Sequence, residues 1–207
     1  MAGYILFDFD GVIHNSLQAK GEAFVELLNT NDSELKSKVY DYHLANGGMN
    51  RIIKIKNIYE QFLNISLSDQ ELQDLLLKFE KLVQAKLLDS PLMEGVEDFI
   101  KTLHERNKIL MIVSAAPKAE IEAILEKYDL KKYFVKICGG PTSKSEHMKD
   151  ILLNYSAEPK DYIFFGDSNT DKKAADEFNI PFVAINWSGS ILDKTVPRFE
   201  NFTNIKI

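Results

Sequence analysis

The sequence predicts an α/β fold: a parallel sheet core covered by helices on both faces, with an α-helical cap subdomain inserted after the first strand. Three observations lead there. Apolar runs of strand length alternate with helical patterns through the C-terminal half. Those runs are apolar almost without interruption, as parallel strands buried on both faces are. Between them and the first run lies a long stretch with helical periodicity only.

Taken in order, Tyr4 to Asp8 reads as the first strand. The stretch from about Ser16 to Ser90 holds no convincing strand; Ala19, Ala23, Phe24 and Leu27 suggest one helix, and Ile52, Ile55, Tyr59 and Phe62 another. A third starts at Ser68-Asp69-Gln70-Glu71, a capping box, after which Leu72, Leu75, Leu76, Phe79, Leu82 and Val83 recur at helical spacing. The chain re-enters the sheet domain through Pro91 to Val96 and a helix carrying Phe99, Ile100 and Leu103. Strands are then expected at Ile109 to Ser114, Tyr133 to Cys138, Tyr162 to Asp167 and Pro181 to Trp187. Between them, Pro117 suits a first helical position ahead of Ile121, Ile124, Leu125 and Tyr128. Met148, Ile151, Leu152 and Tyr155 mark the next helix, and Ala174, Ala175 and Phe178 the last, opened by the capping-box spacing of Ser168 to Asp171. The resulting division is a core of residues 1–15 and 91–207 with a cap of residues 16–90. An insertion at the carboxyl edge of the strands, where ligands bind in open α/β sheets, is placed to act as a lid. The tail from Arg198 offers only short apolar patches.

Bulk properties exclude several classes. A net charge of −6 supplies no basic stripe for nucleic acid. A single cysteine, Cys138, rules out an intrachain disulfide framework and fits a reducing compartment. No apolar stretch approaches the roughly 18 residues of a membrane span, and the N-terminus lacks a secretory layout. The expectation is a cytoplasmic protein, monomer or homodimer, without nucleic-acid or membrane partners.

The chemistry starts at Asp8-Phe9-Asp10-Gly11-Val12. Residues two apart on a strand face the same way, so Asp8 and Asp10 can serve one site. Paired carboxylates need a cation, a shared proton or solvent, and a hard metal with oxygen ligands is a natural solution. At other strand ends lie Ser114, Lys144 in Pro141-Thr142-Ser143-Lys144, and Asp167 and Asp171 in Gly166-Asp167-Ser168-Asn169-Thr170-Asp171. The fold gathers these scattered groups beside Asp8. The four histidines, His14, His43, His104 and His147, have no metal-ligand spacing and read as surface or packing residues.

In these four segments, taken in order, the chain resembles the haloacid dehalogenase superfamily, over roughly Tyr4 to Trp187. The insertion looks like the helical cap of the phosphoglycolate phosphatase and β-phosphoglucomutase branch. The resemblance implies a Rossmann-like core and a magnesium-dependent phosphatase acting on a small phosphorylated metabolite, of sugar phosphate or phosphoglycolate type. It implies Asp8 as nucleophile, forming an aspartyl-phosphate, and Asp10 as general acid and then base. It implies Mg2+ on an Asp8 oxygen, the Asp10 carbonyl and Asp167, with Asp171 orienting that shell. Ser114 and the amide of Ala115 would hold phosphate oxygens, and Lys144 would offset negative charge. Many relatives carry a polar residue where this chain has Ala115, so a side-chain contact is lost there while the amide remains. Gly47-Gly48-Met49-Asn50-Arg51 is either a plain connecting loop or brings Arg51 over the substrate.

The alternatives separate on named residues. A β-phosphoglucomutase-like mutase carries a cap histidine shortly after the first motif, where this chain has Lys20. Dehalogenases and phosphonatases lack the second acid that Asp10 supplies. A receiver-type phospho-acceptor module shares an acidic pocket with a serine and a lysine, yet it lacks the helical insertion and places its acceptor elsewhere. A non-catalytic binding module would be expected to have lost one of the aspartates.

Overall fold

The alternation read from the sequence folds into one six-stranded parallel sheet flanked by helices, and the computed structural model describes residues 3–187 and 194–205 of the chain. In chain order the elements are β1 (Tyr4–Phe7), α1 (Leu17–Leu27), α2 (Ser33–Ala45), α3 (Arg51–Leu63), α4 (Asp69–Asp89) and α5 (Val96–Glu105). They continue with β2 (Ile109–Pro117), α6 (Lys118–Lys127), β3 (Phe134–Gly140), α7 (Lys144–Asn154), β4 (Tyr162–Gly166), α8 (Asn169–Glu177), β5 (Phe182–Ile185) and β6 (Arg198–Phe199).

The sheet order is β3-β2-β1-β4-β5-β6, so β1 lies between β2 and β4. The chain progresses outward from β1 in both directions, which makes the β1/β4 boundary the switch point where such sheets open a crevice. Phe7 pairs with Ile112 on one side and with Phe165 on the other, and the Asp8 amide donates to the Phe165 carbonyl at 2.8 Å. In-register pairing therefore ends β1 and β4 at nearly one level, with β2 running on beside them.

Alternation along each strand sends side chains to two separate cores. Ile5, Phe7, Leu110, Ile112 and Phe165 join one cluster, which continues into the buried faces of α1, α3 and α4. Leu6, Met111, Val113, Tyr162 and Phe164 join the other, with Met148 and Ile151 of α7 and Ala174 and Ala175 of α8. The helices α1 to α4 pack on one another between β1 and α5. The two chain crossings that bound them run side by side: the Asn15 amide donates to the Pro91 carbonyl and the Met93 amide to the Ile13 carbonyl, each at 2.9 Å.

Four local expectations change. Helix α2 shows no strong apolar stripe, because it buries only Val39 and His43; the Asp32 carboxylate starts it by accepting from the Glu34 and Leu35 amides. In α3 the inward stripe is Lys54, Ile55 and Ile58, leaving Ile52 37% exposed. Strand β2 runs on through Pro117, which caps α6 rather than opening it, and Ser114 sits inside an irregular stretch of the strand. There Val113 pairs with Cys138 and Pro117 with Gly140, so four steps in β2 span two in β3 and the residues between bulge out. The tail is also more than patches: β6 pairs with β5, and Phe202 is buried against Phe7, Phe99 and Phe165. Residues 206–207 of that tail lie outside the described residues.

Phe202→Ala opens a cavity beneath the central strand and is expected to destabilise the fold by about 3–5 kcal/mol. The denaturant midpoint of the variant against wild type checks this, and a loss below about 1 kcal/mol contradicts the packing described.

Candidate active site

The groups placed at strand ends by the sheet converge on Asp8, which is 2% exposed. Lys144, the first residue of α7 after the capping box of Ser143 and Glu146, lies with Nζ 2.8 Å from Asp8 Oδ2 and also pairs with Asp171 Oδ1. Asp171 Oδ2 accepts from the Asp167 amide at 3.2 Å, the Ser168 amide at 3.1 Å and the Ser168 hydroxyl at 2.6 Å. Both oxygens of Asp171 are thus committed, and the capping box that opens α8 also fixes the buried carboxylate. Asp167 completes the group, and Gly11, at φ +78°, admits it: a Cβ there would lie 2.5 Å from Asp167 Oδ2.

Asp10 is held quite differently. Its Oδ1 accepts from the Ser16 hydroxyl and its Oδ2 from Lys20 Nζ, both at 2.5 Å. Lys20 reaches Glu120 Oε1 at 2.6 Å, and Glu120 Oε2 accepts from Arg51 Nη2 at 2.6 Å. A chain of ion pairs therefore runs from Asp10 through α1 and α6 to α3. Burial and the neighbouring Asp171 push Asp8 up to about 7, against the partial relief of Lys144. Burial acts on Asp10 too, but Lys20 and the Ser16 hydroxyl outweigh it and hold Asp10 at about 2. Asp167 is raised well above the usual carboxylate range by burial and by Asp171 and Asp8. Burial opposes charge on Lys144, yet Asp171 and Asp8 hold it above the ordinary lysine value. Two carboxylates two residues apart are thus pushed in opposite directions.

Asp8, Asp10, Ser114, Ala115 and Asp167 line one cavity of about 60 Å³ with Arg51 and Lys54 of the inserted helices. Phe24 and Phe79 supply apolar wall, and Arg51 lies 4.7 Å from the Phe79 ring centroid. The Ser114 hydroxyl accepts from the Ala116 amide at 3.3 Å. The loop before α3 docks on the core: the Thr170 hydroxyl donates to the Gly47 carbonyl at 2.8 Å. Gly48 beside it is at φ +71°, and a Cβ there would lie 2.0 Å from Thr170 Oγ1.

The donor set fits a hard divalent cation. Ligand atoms of Asp8, Asp167 and Asp171 lie within 4.8 Å of one another, and buried Asp8 Oδ1 has no hydrogen-bond partner among the described residues. The raised values of Asp8 and Asp167 express a shortage of positive charge that such an ion relieves.

Every site residue expected from the sequence falls at this place, with Lys144 and Asp171 buried beside Asp8. Sequence reading missed Ser16 and Glu120, which carry no local signal. It also missed Lys54, whose signal is its place on the inward stripe with Ile55 and Ile58. Of the histidines, His14 and His43 are packed inside, and His43 lines the cavity.

A family model described as haloacid dehalogenase-like hydrolase matches residues 5–185. Curated relatives include a phosphoglycolate phosphatase of Salmonella typhi, 31% identical over 124 residues, 55% of this chain and 49% of that protein. Another, from Synechococcus elongatus, is 28% identical over 98 residues, 46% of each chain. The chain spans about half the length of the curated relatives it matches. Among solved structures, a predicted phosphoglycolate phosphatase from Haemophilus somnus shares the fold with TM-score 0.81 at 18% identity, covering 98% of this chain and 96% of that one. A β-phosphoglucomutase from Clostridium difficile does so with TM-score 0.78 at 16% identity, covering 100% and 94%.

Two outcomes follow from the charge balance and the loop contact. Because folded Asp8 holds its proton more tightly than the unfolded chain does, the metal-free fold loses stability from this group as pH rises from about 4 to about 7. Magnesium, which takes the ionised carboxylate, is expected to raise the melting temperature more at pH 8 than at pH 5. Thermal melts with magnesium or chelator at the two pH values check this, and an equal increment contradicts it. Gly48→Ala combines a positive φ with the Thr170 clash, so the loop is expected to lift and become a faster proteolytic cleavage site, at a cost of about 1–2 kcal/mol.

Proposed function

The chain belongs to the haloacid dehalogenase-like hydrolase family, and from that premise we propose that it is a magnesium-dependent phosphatase hydrolysing a small phosphomonoester through an aspartyl-phosphate. The observation that carries the reading is Asp8: one oxygen rests on Lys144, the other has no protein partner, and both lie where Asp10, Ser114 and Asp167 share a cavity. The curated relatives named phosphoglycolate phosphatase support a small phosphorylated metabolite as substrate.

In this reading Asp8 attacks phosphorus, and the bond to the leaving oxygen breaks as that oxygen takes a proton from Asp10. Asp10, now ionised, takes a proton from water, which attacks the aspartyl-phosphate and frees phosphate and Asp8. Asp8, the Asp10 carbonyl and Asp167 would hold magnesium, which would supply the positive charge that favours ionised Asp8 and offsets the charge of the phosphoryl group. Ser114 and the Ala115 amide donate to phosphoryl oxygens, and Lys144 counters the charge of Asp8. Asp171 keeps Lys144 and the 167–168 backbone in place. Lys20 holds Asp10 ionised, which suits the second half-reaction; Glu120 gives Lys20 another partner when Asp10 must carry a proton. Arg51 walls the leaving-group side.

Residues 1–15 and 91–207 form the catalytic core in this reading, and residues 16–90 the lid, hinged at the paired crossings near Asn15 and Pro91. A cytoplasmic setting belongs with it, in keeping with the single, buried Cys138.

The expected result is phosphate release from small phosphomonoesters that needs magnesium, falls to background in Asp8→Asn and drops by about 10²–10⁴ in Asp10→Asn. Isomerisation of a sugar phosphate in place of phosphate release, on adding a bisphosphate activator, selects the mutase instead.

A further inference from the structure

Among the described residues, the cavity holds a buried cation with no carboxylate at ion-pair distance. Lys144 is paired with Asp8 and Asp171, Lys20 with Asp10 and Glu120, and Arg51 with Glu120. Lys54 is 3% exposed and lines the same cavity, yet among the described residues no carboxylate lies within ion-pair distance of it.

Its neighbours position it without neutralising it. His43 Nε2 lies 3.1 Å from the Leu17 carbonyl, which only accepts, so that nitrogen carries the ring proton. Nδ1 is then an acceptor, 3.2 Å from Lys54 Nζ, and the His43 carbonyl is a second acceptor at 3.4 Å. Burial and Lys54 keep the ring neutral, far below its ordinary value at about 3. The Phe24 ring centroid lies 5.6 Å from Nζ. The two acceptors leave one ammonium proton of three without an acceptor. Burial, and next to it Lys20, lower Lys54 to about 7, against partial relief from the more distant Asp10 and Asp167.

Resting on the phosphatase reading, we propose that Lys54 is the specificity-determining residue of this chain, donating to an anionic carboxylate on the leaving group of the phosphomonoester. Arg51, like Lys20, is already matched by Glu120 and contributes wall. The cavity, of about 60 Å³, is small, in keeping with a short-chain leaving group. The unanswered charge of Lys54 becomes paired when the substrate arrives, so its burial is a cost of the empty site alone.

The test compares 2-phosphoglycolate with 2-hydroxyethyl phosphate, its near-isosteric analogue without the carboxylate, on wild type, Lys54→Met and Lys54→Arg. A hydrogen bond to a charged group corresponds to about 10–100-fold. Lys54→Met is expected to lose that factor in kcat/KM for the carboxylate ester, mostly through KM, while the hydroxyethyl ester changes by less than about threefold. Lys54→Arg is expected to recover part of the loss, and Lys54→Met to melt no lower than wild type because it removes a buried, unpaired charge. Equal losses on both esters, or a collapse of the Lys54→Met fold, overturn the proposal and make Lys54 a structural residue. Wild type that cleaves the hydroxyethyl ester with no preference for the carboxylate overturns it while leaving the phosphatase reading intact. Wild type that cleaves neither ester but releases phosphate from other small phosphomonoesters overturns the proposal alone; no release from any of them removes the phosphatase reading with it.

Discussion

The constraint on which the rest of the structure depends is the burial of three carboxylates against one ammonium at the end of the central strand. Asp8, Asp167 and Asp171 are each at most 2% exposed, and Lys144 is the cation among them. Charge of one sign in such a place is tolerated only when each group is fixed and a further cation is accepted. Much of the surrounding architecture serves that end. In-register pairing of β1 with β2 and β4 sets Asp8 and Asp167 side by side, and the box at Ser168 fastens Asp171 by three donors. The absence of a side chain at Gly11 leaves Asp167 its space.

Against this background the two motif acids differ in kind. Asp8 meets burial and like charge and is pushed up, whereas Asp10 meets a lysine and a serine and is pushed down. The difference originates in the inserted helices: Ser16 and Lys20 stand at the start of α1, just after the chain leaves the core. Glu120, from the core, holds both Lys20 and Arg51, so the electrostatic state of Asp10 is linked to the seating of the insertion. The docking of Gly47 on Thr170, next to Asp171, adds a second link between insertion and site. In the proposed reading, an insertion that contributes charge to Asp10 would couple its closure to the chemistry.

The order of elements, the alternation of strands and helices, and the placing of Asp8, Asp10, Ser114, Lys144 and Asp167 were legible because each rests on a local signal. Apolar runs bounded by acidic and glycine residues mark strand ends, and the boxes at Ser68 and Ser168 mark helix starts; all of these are properties of neighbouring residues. Helix α2 was not legible, since it buries too few side chains to show a stripe. Nor was β6, two residues long and held by β5. The bulge at Ser114 arises from a mismatch in step between β2 and β3, which neither strand encodes alone.

By itself the sequence determined the fold class and the set of acids, because periodicity and parallel-strand chemistry leave few ways to arrange such a chain. Tertiary structure alone decided the charge state of the site. Which cation stands against which carboxylate depends on contacts between residues as far apart as Lys20 and Glu120, or Arg51 and Glu120. That pairing is why Arg51, visible in its loop, is spoken for, while Lys54, hidden in an apolar stripe, has no carboxylate at ion-pair distance among the described residues. Electrostatic energy is set by distance and burial in three dimensions, and neither is a property of position along the chain.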